Sequence, residues 1–105
     1  MQITFETEAL HQVFIDESIA FKALSELKQD IATGRQRDTP GPDNLTKNGI
    51  GVKAKHFHLT NRIGMAYNIT GTNIHILAIG VKHNRNKGQG DSGYDWDKKG
   101  NISFA

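Results

Sequence analysis

His56-Phe57-His58 sets two imidazoles two residues apart. On a strand they would share one face, with backbones about 7 Å apart at roughly 3.3 Å of rise per residue. Imidazole titrates near neutrality, so such a pair can supply a general base and a general acid for cleaving a phosphodiester through its own 2′-hydroxyl. His83 adds a third imidazole, a candidate acid for the leaving oxygen. Cations must neutralise the phosphate and the charge that develops on it, and Lys53, Lys55, Arg62, Lys82, Arg85 and Lys87 belong to the same stretch of chain. The plainer alternative is one histidine partly buried and hydrogen-bonded, the other solvated. His-x-His spacing also serves zinc or copper, with His75 or His83 as a third ligand. The chain has no Cys and the neighbourhood has no carboxylate, so the expectation is a site without metal or cofactor.

Charge sets this stretch apart. Between Asp43 and Asp91 there is no acidic residue, yet the interval holds seven of the thirteen Lys and Arg and four of the five His. The formal net charge of +2 conceals this, because Met1 to Leu45 counts eight acids against four bases. Such a distribution suits an anionic partner, most commonly phosphate. Lys82-His83-Asn84-Arg85-Asn86-Lys87 is rich in donors for phosphate oxygens. Gly88-Gln89-Gly90 completes no phosphate-cradling motif. Tyr94 and Trp96 can either stack on bases or anchor the tail.

The elements that must position these residues are legible from periodicity. A chain of 105 residues predicts one domain, residues 1–105. The absence of Cys suits a reducing cytoplasm. The first residues carry no signal-peptide pattern, and the apolar run Ile74 to Val81 is far shorter than the roughly 20 residues of a membrane helix. The expectation is a soluble, cytoplasmic protein. Ile3 and Phe5 predict a short first strand. Leu10, Val13 and Phe14 predict a helix from Thr7, and Ala20, Ala23, Leu27 and Ile31 a second, capped by Asp16 or Ser18 and stopped by Gly34. Residues 35–51 read as a loop in which Leu45 can dip into the core, and 88–105 as a flexible or edge-strand tail.

Lys53 to Leu59, Ile63 to Ile69 and Ile74 to Val81 predict three strands in an antiparallel meander, joined at Thr60-Asn61-Arg62 and Thr70-Gly71-Thr72-Asn73. With Leu59 opposite Ile63, Phe57 faces Met65 and Lys55 faces Tyr67. Across the next hairpin Ile69 meets Ile74 and Tyr67 meets Ile76. One face is then apolar and covered by the helices, an α+β fold. The other carries His58 beside Gly64 and His56 beside Ala66, with room for a ligand over these small residues.

This order of elements, together with Lys55-His56-Phe57-His58-Leu59-Thr60-Asn61-Arg62-Ile63-Gly64-Met65-Ala66-Tyr67 and Ile76-Leu77-Ala78-Ile79-Gly80-Val81-Lys82-His83, resembles the RelE/ParE superfamily of bacterial toxins. In the use of histidines on the first hairpin strand it is similar to the family's His-dependent, YafQ/YafO-like nucleases. The resemblance implies a type II toxin-antitoxin toxin: an endoribonuclease cutting messenger RNA, often on the ribosome, and held inactive by a cognate antitoxin protein. It places His56, His58, His83 and Arg62 among the catalytic groups, with Lys82 and Arg85 beside them. The tail from Gly88 has no counterpart in the family pattern. The alternatives are a ParE-like gyrase-binding toxin and a nucleic-acid-binding module that does not cleave.

Overall fold

The structure, a computed structural model, describes residues 2–36, 45, 51–57, 62–82 and 94–102, His56 by its backbone alone. The elements are β1 (Gln2–Phe5), α1 (Glu8–Asp16), α2 (Ser18–Ala32), β2 (Lys53–His56), β3 (Ile63–Thr70), β4 (Asn73–Lys82) and β5 (Tyr94–Asp97). This is an α+β architecture, a helical pair packed on one face of a mixed five-stranded sheet. Leu59, residues 37–44 and 46–50 of the expected loop, and residues 88–93 and 103–105 of the expected tail lie outside the described residues.

β4 organises the sheet. On one side β3 pairs with it antiparallel, through a turn at Gly71 (φ 59°) and Thr72. Its other side is shared: β1 runs parallel along Asn73 to Ile76, and β5 antiparallel along Ile79 to Lys82. β2 closes the far edge against β3. The expected meander is therefore widened into a mixed sheet by β1, and residues 94–97 of the tail are an edge strand.

Thr7 starts α1 from an extended backbone, its hydroxyl accepting the Leu10 N–H at 3.0 Å. That hydroxyl also donates to the Lys98 carbonyl at 2.8 Å, tying the segment after β5 to the helix start. Thr7→Ala should lower unfolding free energy by about 1–2 kcal/mol, from the lost cap and the lost bond to Lys98. Thr7→Ser should restore most of it in urea titrations, and an unchanged midpoint for Thr7→Ala would refute the cap. At the second helix neither Asp16 nor Ser18 is the cap. One ends α1 and the other begins α2, leaving Glu17 alone in extended backbone as C-cap of the first and N-cap of the second, with no side-chain cap bond. The two helices abut too closely for a dedicated capping residue. Gly34 follows α2 with φ 71°, the left-handed stop the sequence predicts.

Leu10, Phe14, Ala20, Ala23 and Leu27 of the helices meet Phe57, Ile63, Met65, Tyr67, Ile74, Ile76 and Ile79 of the sheet. Phe57 and Met65 are 1% and 0% exposed, as the alternation requires. The pairing differs from expectation by two residues, since Lys55 stands opposite Met65 and Lys53 opposite Tyr67. An even shift keeps every side chain on its face, so the core is unchanged while His56 moves opposite Gly64 instead of Ala66. The shift lets Lys55 reach Asp30 of α2 at 3.2 Å and puts a wider connection between Phe57, whose N–H donates to the Ile63 carbonyl at 2.9 Å, and β3.

A bulge at Leu77 lies between the pairs Ala66↔Ala78 and Tyr67↔Ile76. Strict alternation from Ile74 and Ile76 would send Gly80 to the helix side. The bulge sends Ile79 there instead, and Leu77 and Ala78 both join Leu45, Val52 and Ala66 in a second apolar cluster on the opposite face. Leu45 does dip inward, 6% exposed, but under this second face.

Candidate functional site

At one end of the sheet the register aligns residues from four strands. His56 is opposite Gly64, Gly64 opposite Gly80, and Gly80 opposite Trp96. Two rungs further out, beyond Ile63, Val81 and Asp95, the Lys82 N–H donates to the Arg62 carbonyl at 2.6 Å, and Lys82 is opposite Tyr94. Arg62 is exposed and Lys82 half-buried. Three of the expected site residues, His56, Arg62 and Lys82, thus fall at the same end of the sheet, on two rungs with one rung between them. His58, His83, Arg85 and Lys87 lie outside the described residues; in sequence His58 follows β2 closely and His83 follows β4 directly.

The space expected over Gly64 and Ala66 is occupied. A Cβ on Gly64 would lie 3.0 Å from the Lys55 carbonyl oxygen and 3.4 Å from Tyr94 Cε2, and one on Gly80 would lie 2.7 Å from Trp96 Cε3. The Tyr94 and Trp96 rings stack on each other, centroids 5.1 Å apart at 25°, across the Gly64–Gly80 rung. Ala66 is covered by the cluster around Leu45 and Val52. Anchoring, one of the two expected roles for these aromatics, is therefore met. The described cations at this end of the sheet, Arg62 and Lys82, stand on its rim. Burial raises the Tyr94 phenol above its ordinary pKa of 10.0, so it stays protonated and adds no negative charge there. The signal for this arrangement was the Tyr-x-Trp spacing, which fits a strand with both rings on one face.

The interval free of acids in sequence is not free of them in space. Lys55 Nζ lies 3.2 Å from Asp30 Oδ2 and 3.9 Å from Glu26 Oε1, with its side chain 13% exposed. Lys53, two residues earlier and opposite Tyr67, shares that helix-facing side by strand alternation. The cations divide accordingly: Lys53 and Lys55 on the helix-facing side of β2, Arg62 and Lys82 at the strand ends. His75 is drawn into another pairing. Its Nε2 lies 3.0 Å from Glu6 Oε1 and its Nδ1 2.7 Å from Thr4 Oγ1, while Asn73 Nδ2 donates to that hydroxyl at 3.1 Å. Both ring nitrogens of His75 are thereby engaged. The network pins β1 to β4, and His75 would have to abandon it to act as a metal ligand.

A cleft of about 320 Å³ between α1 and the segment after β5, lined by Gln12, Asp16, Glu17, Lys99 and Asn101 among others, shares no residue with these rungs. Among the described residues no helix is long and apolar enough to cross a membrane. Compared with family models, curated proteins and solved structures, the chain matches none.

Proposed function

We propose that the chain is a metal-independent endoribonuclease of RelE/ParE-like toxin type, acting at the sheet end that bears His56, Arg62 and Lys82. What supports this reading is the gathering of those residues, from three strand ends, on two rungs with one rung between them, from which the segments bearing His58 and His83 continue in sequence. The order of strand, helical pair, loop and meander supports the family likeness. Messenger RNA, on or off the ribosome, is then the substrate and an antitoxin protein the inhibitor.

In this scheme His56 or His58 removes the proton of a ribose 2′-hydroxyl. The freed oxygen attacks phosphorus, and His83 gives a proton to the departing 5′-oxygen. Arg62, Lys82 and Arg85 neutralise the charge on the non-bridging oxygens, with Lys87 as a further phosphate contact. Lys55 is left out of the cationic set because Asp30 and Glu26 engage it. The products carry a 2′,3′-cyclic or 3′-phosphate on one side and a 5′-hydroxyl on the other. Incubating the chain with RNA in excess chelator, with and without ribosomes, and identifying the new ends tests the scheme. Cleavage that survives chelation and leaves those ends is expected; strict need for Zn²⁺ or Mg²⁺, or 5′-phosphate products, would overturn it.

Binding gives a second test. Affinity for RNA should fall steeply with salt, and neutralising Arg62 or Lys82 should shallow the dependence by about one counterion each. Neutralising Lys55 should leave the slope unchanged. An equal change of slope for Lys55→Ala and Lys82→Ala would mean that the cations act as one patch on both faces.

A further inference from the structure

At the other end of β4 from the His56 rung, four polar side chains are joined in one network. Thr4 and His75 are partners across the parallel β1–β4 pair, and the Thr4 hydroxyl lies 2.7 Å from Nδ1 of His75. The far ring nitrogen, Nε2, lies 3.0 Å from Glu6 Oε1. Glu6 is itself fixed to β4, its N–H donating to the Ile76 carbonyl at 2.8 Å. Burial is graded along this line, since the imidazole and the carboxylate side chains are each 18% exposed whereas Thr4 lies at the surface. A surface hydroxyl backed by an imidazole, which a carboxylate in turn holds in place, is the arrangement that makes a weak nucleophile reactive. Asn73 Nδ2 donates to the same hydroxyl at 3.1 Å, while its own Oδ1 is buried without a partner among the described residues. That donor occupies a lone pair of Oγ1 and leaves the hydroxyl proton available to Nδ1.

We propose that Thr4 is a catalytic nucleophile toward activated carboxylic esters, with His75 as its general base and Glu6 as the group that orients the ring. The site is independent of the ribonuclease reading. In the reactive form Nδ1 carries no proton and accepts from the hydroxyl, and Nε2 donates to Glu6. Thr4 Oγ1 bonds to the ester carbonyl carbon as its proton passes to Nδ1. That proton then goes to the departing alcohol oxygen as its bond to carbon breaks, leaving an acyl ester on Thr4. Water attacks the same carbon by the same route, giving a proton to Nδ1, and release of the acid returns that proton to Oγ1. Ester and water become acid and alcohol, with nothing else consumed.

An alkyl fluorophosphonate tests the proposal, because it bonds to activated hydroxyls with loss of fluoride and the adduct does not turn over. The full chain is incubated with this probe and the adduct is located by mass spectrometry of its peptides. An adduct on Thr4 is expected. Thr4→Ser should keep the labelling, and Thr4→Val, of nearly the same shape, should abolish it. His75→Gln should slow it roughly 10²–10⁴-fold, and Glu6→Gln should slow it as well. Amide exchange in β1 identifies any variant whose strand has come away from β4, and the parent chain gives a reading that needs no variant. Its long-range ¹⁵N–¹H spectrum, at the pH of labelling, should show Nδ1 of His75 unprotonated and Nε2 protonated. No adduct on Thr4 of the parent, labelling at the parental rate in His75→Gln, or a proton on Nδ1 would each overturn the proposal and leave the network as a tie between β1 and β4.

Discussion

Alanine in place of a histidine that carries a proton is expected to lower the rate of RNA cleavage roughly 10²–10⁴-fold. Among His56, His58 and His83, two should show losses of this size and the third a smaller one. The pH–rate profile assigns them. Losing the base removes the limb at low pH, where activity depends on that imidazole being neutral, and losing the acid removes the limb at high pH, where activity depends on its being protonated. Arg62→Ala or Lys82→Ala should weaken binding and slow cleavage while leaving both limbs in place, because in this scheme each contacts phosphate without passing a proton. Residues that act as a unit are not additive, so the triple alanine variant should be little slower than the worst single one. Full activity in that triple variant would remove imidazole from the mechanism altogether. His75 supplies an internal control, since its ring is bound by Thr4 and Glu6 and its replacement should affect the β1–β4 pairing rather than the pH profile.

The core face was legible because period-two alternation through Phe57, Met65 and Tyr67 is insensitive to an even shift of register: two residues of error between β2 and β3 cost nothing in burial. The same error mattered at the site, where it exchanged Gly64 for Ala66 opposite His56. The bulge at Leu77 was not legible, since Ile74 to Val81 contains almost no polar residue to mark phase. Packing chose between Ile79 and Gly80 for the interior, a three-dimensional decision. Charge was misread for a related reason. A run without acids is a one-dimensional fact, and folding lays Asp30 against Lys55 and Glu6 against His75 from elements far away in the chain. Lys82 and Arg62 stayed together because the hairpin that joins them is local and its turn signal strong.

Gly80→Ala should destabilise the fold by about 1–3 kcal/mol, a large effect for one methyl group on a sheet, because the added carbon would approach Trp96 Cε3 to 2.7 Å, Cζ3 to 2.9 Å and Cδ2 to 3.0 Å. The ring cannot swing aside cheaply, being stacked on Tyr94 and set in an edge strand paired with β4. In most strands the same change would be favourable, since glycine in a strand interior is roughly 0.5–1 kcal/mol worse than alanine. The sign therefore depends on the indole. In a Trp96→Ala background the penalty should vanish or invert, and a double-mutant cycle measured by urea unfolding should show a coupling of comparable size. An equal penalty with and without Trp96 would mean that Gly80 answers to the backbone and not to the ring.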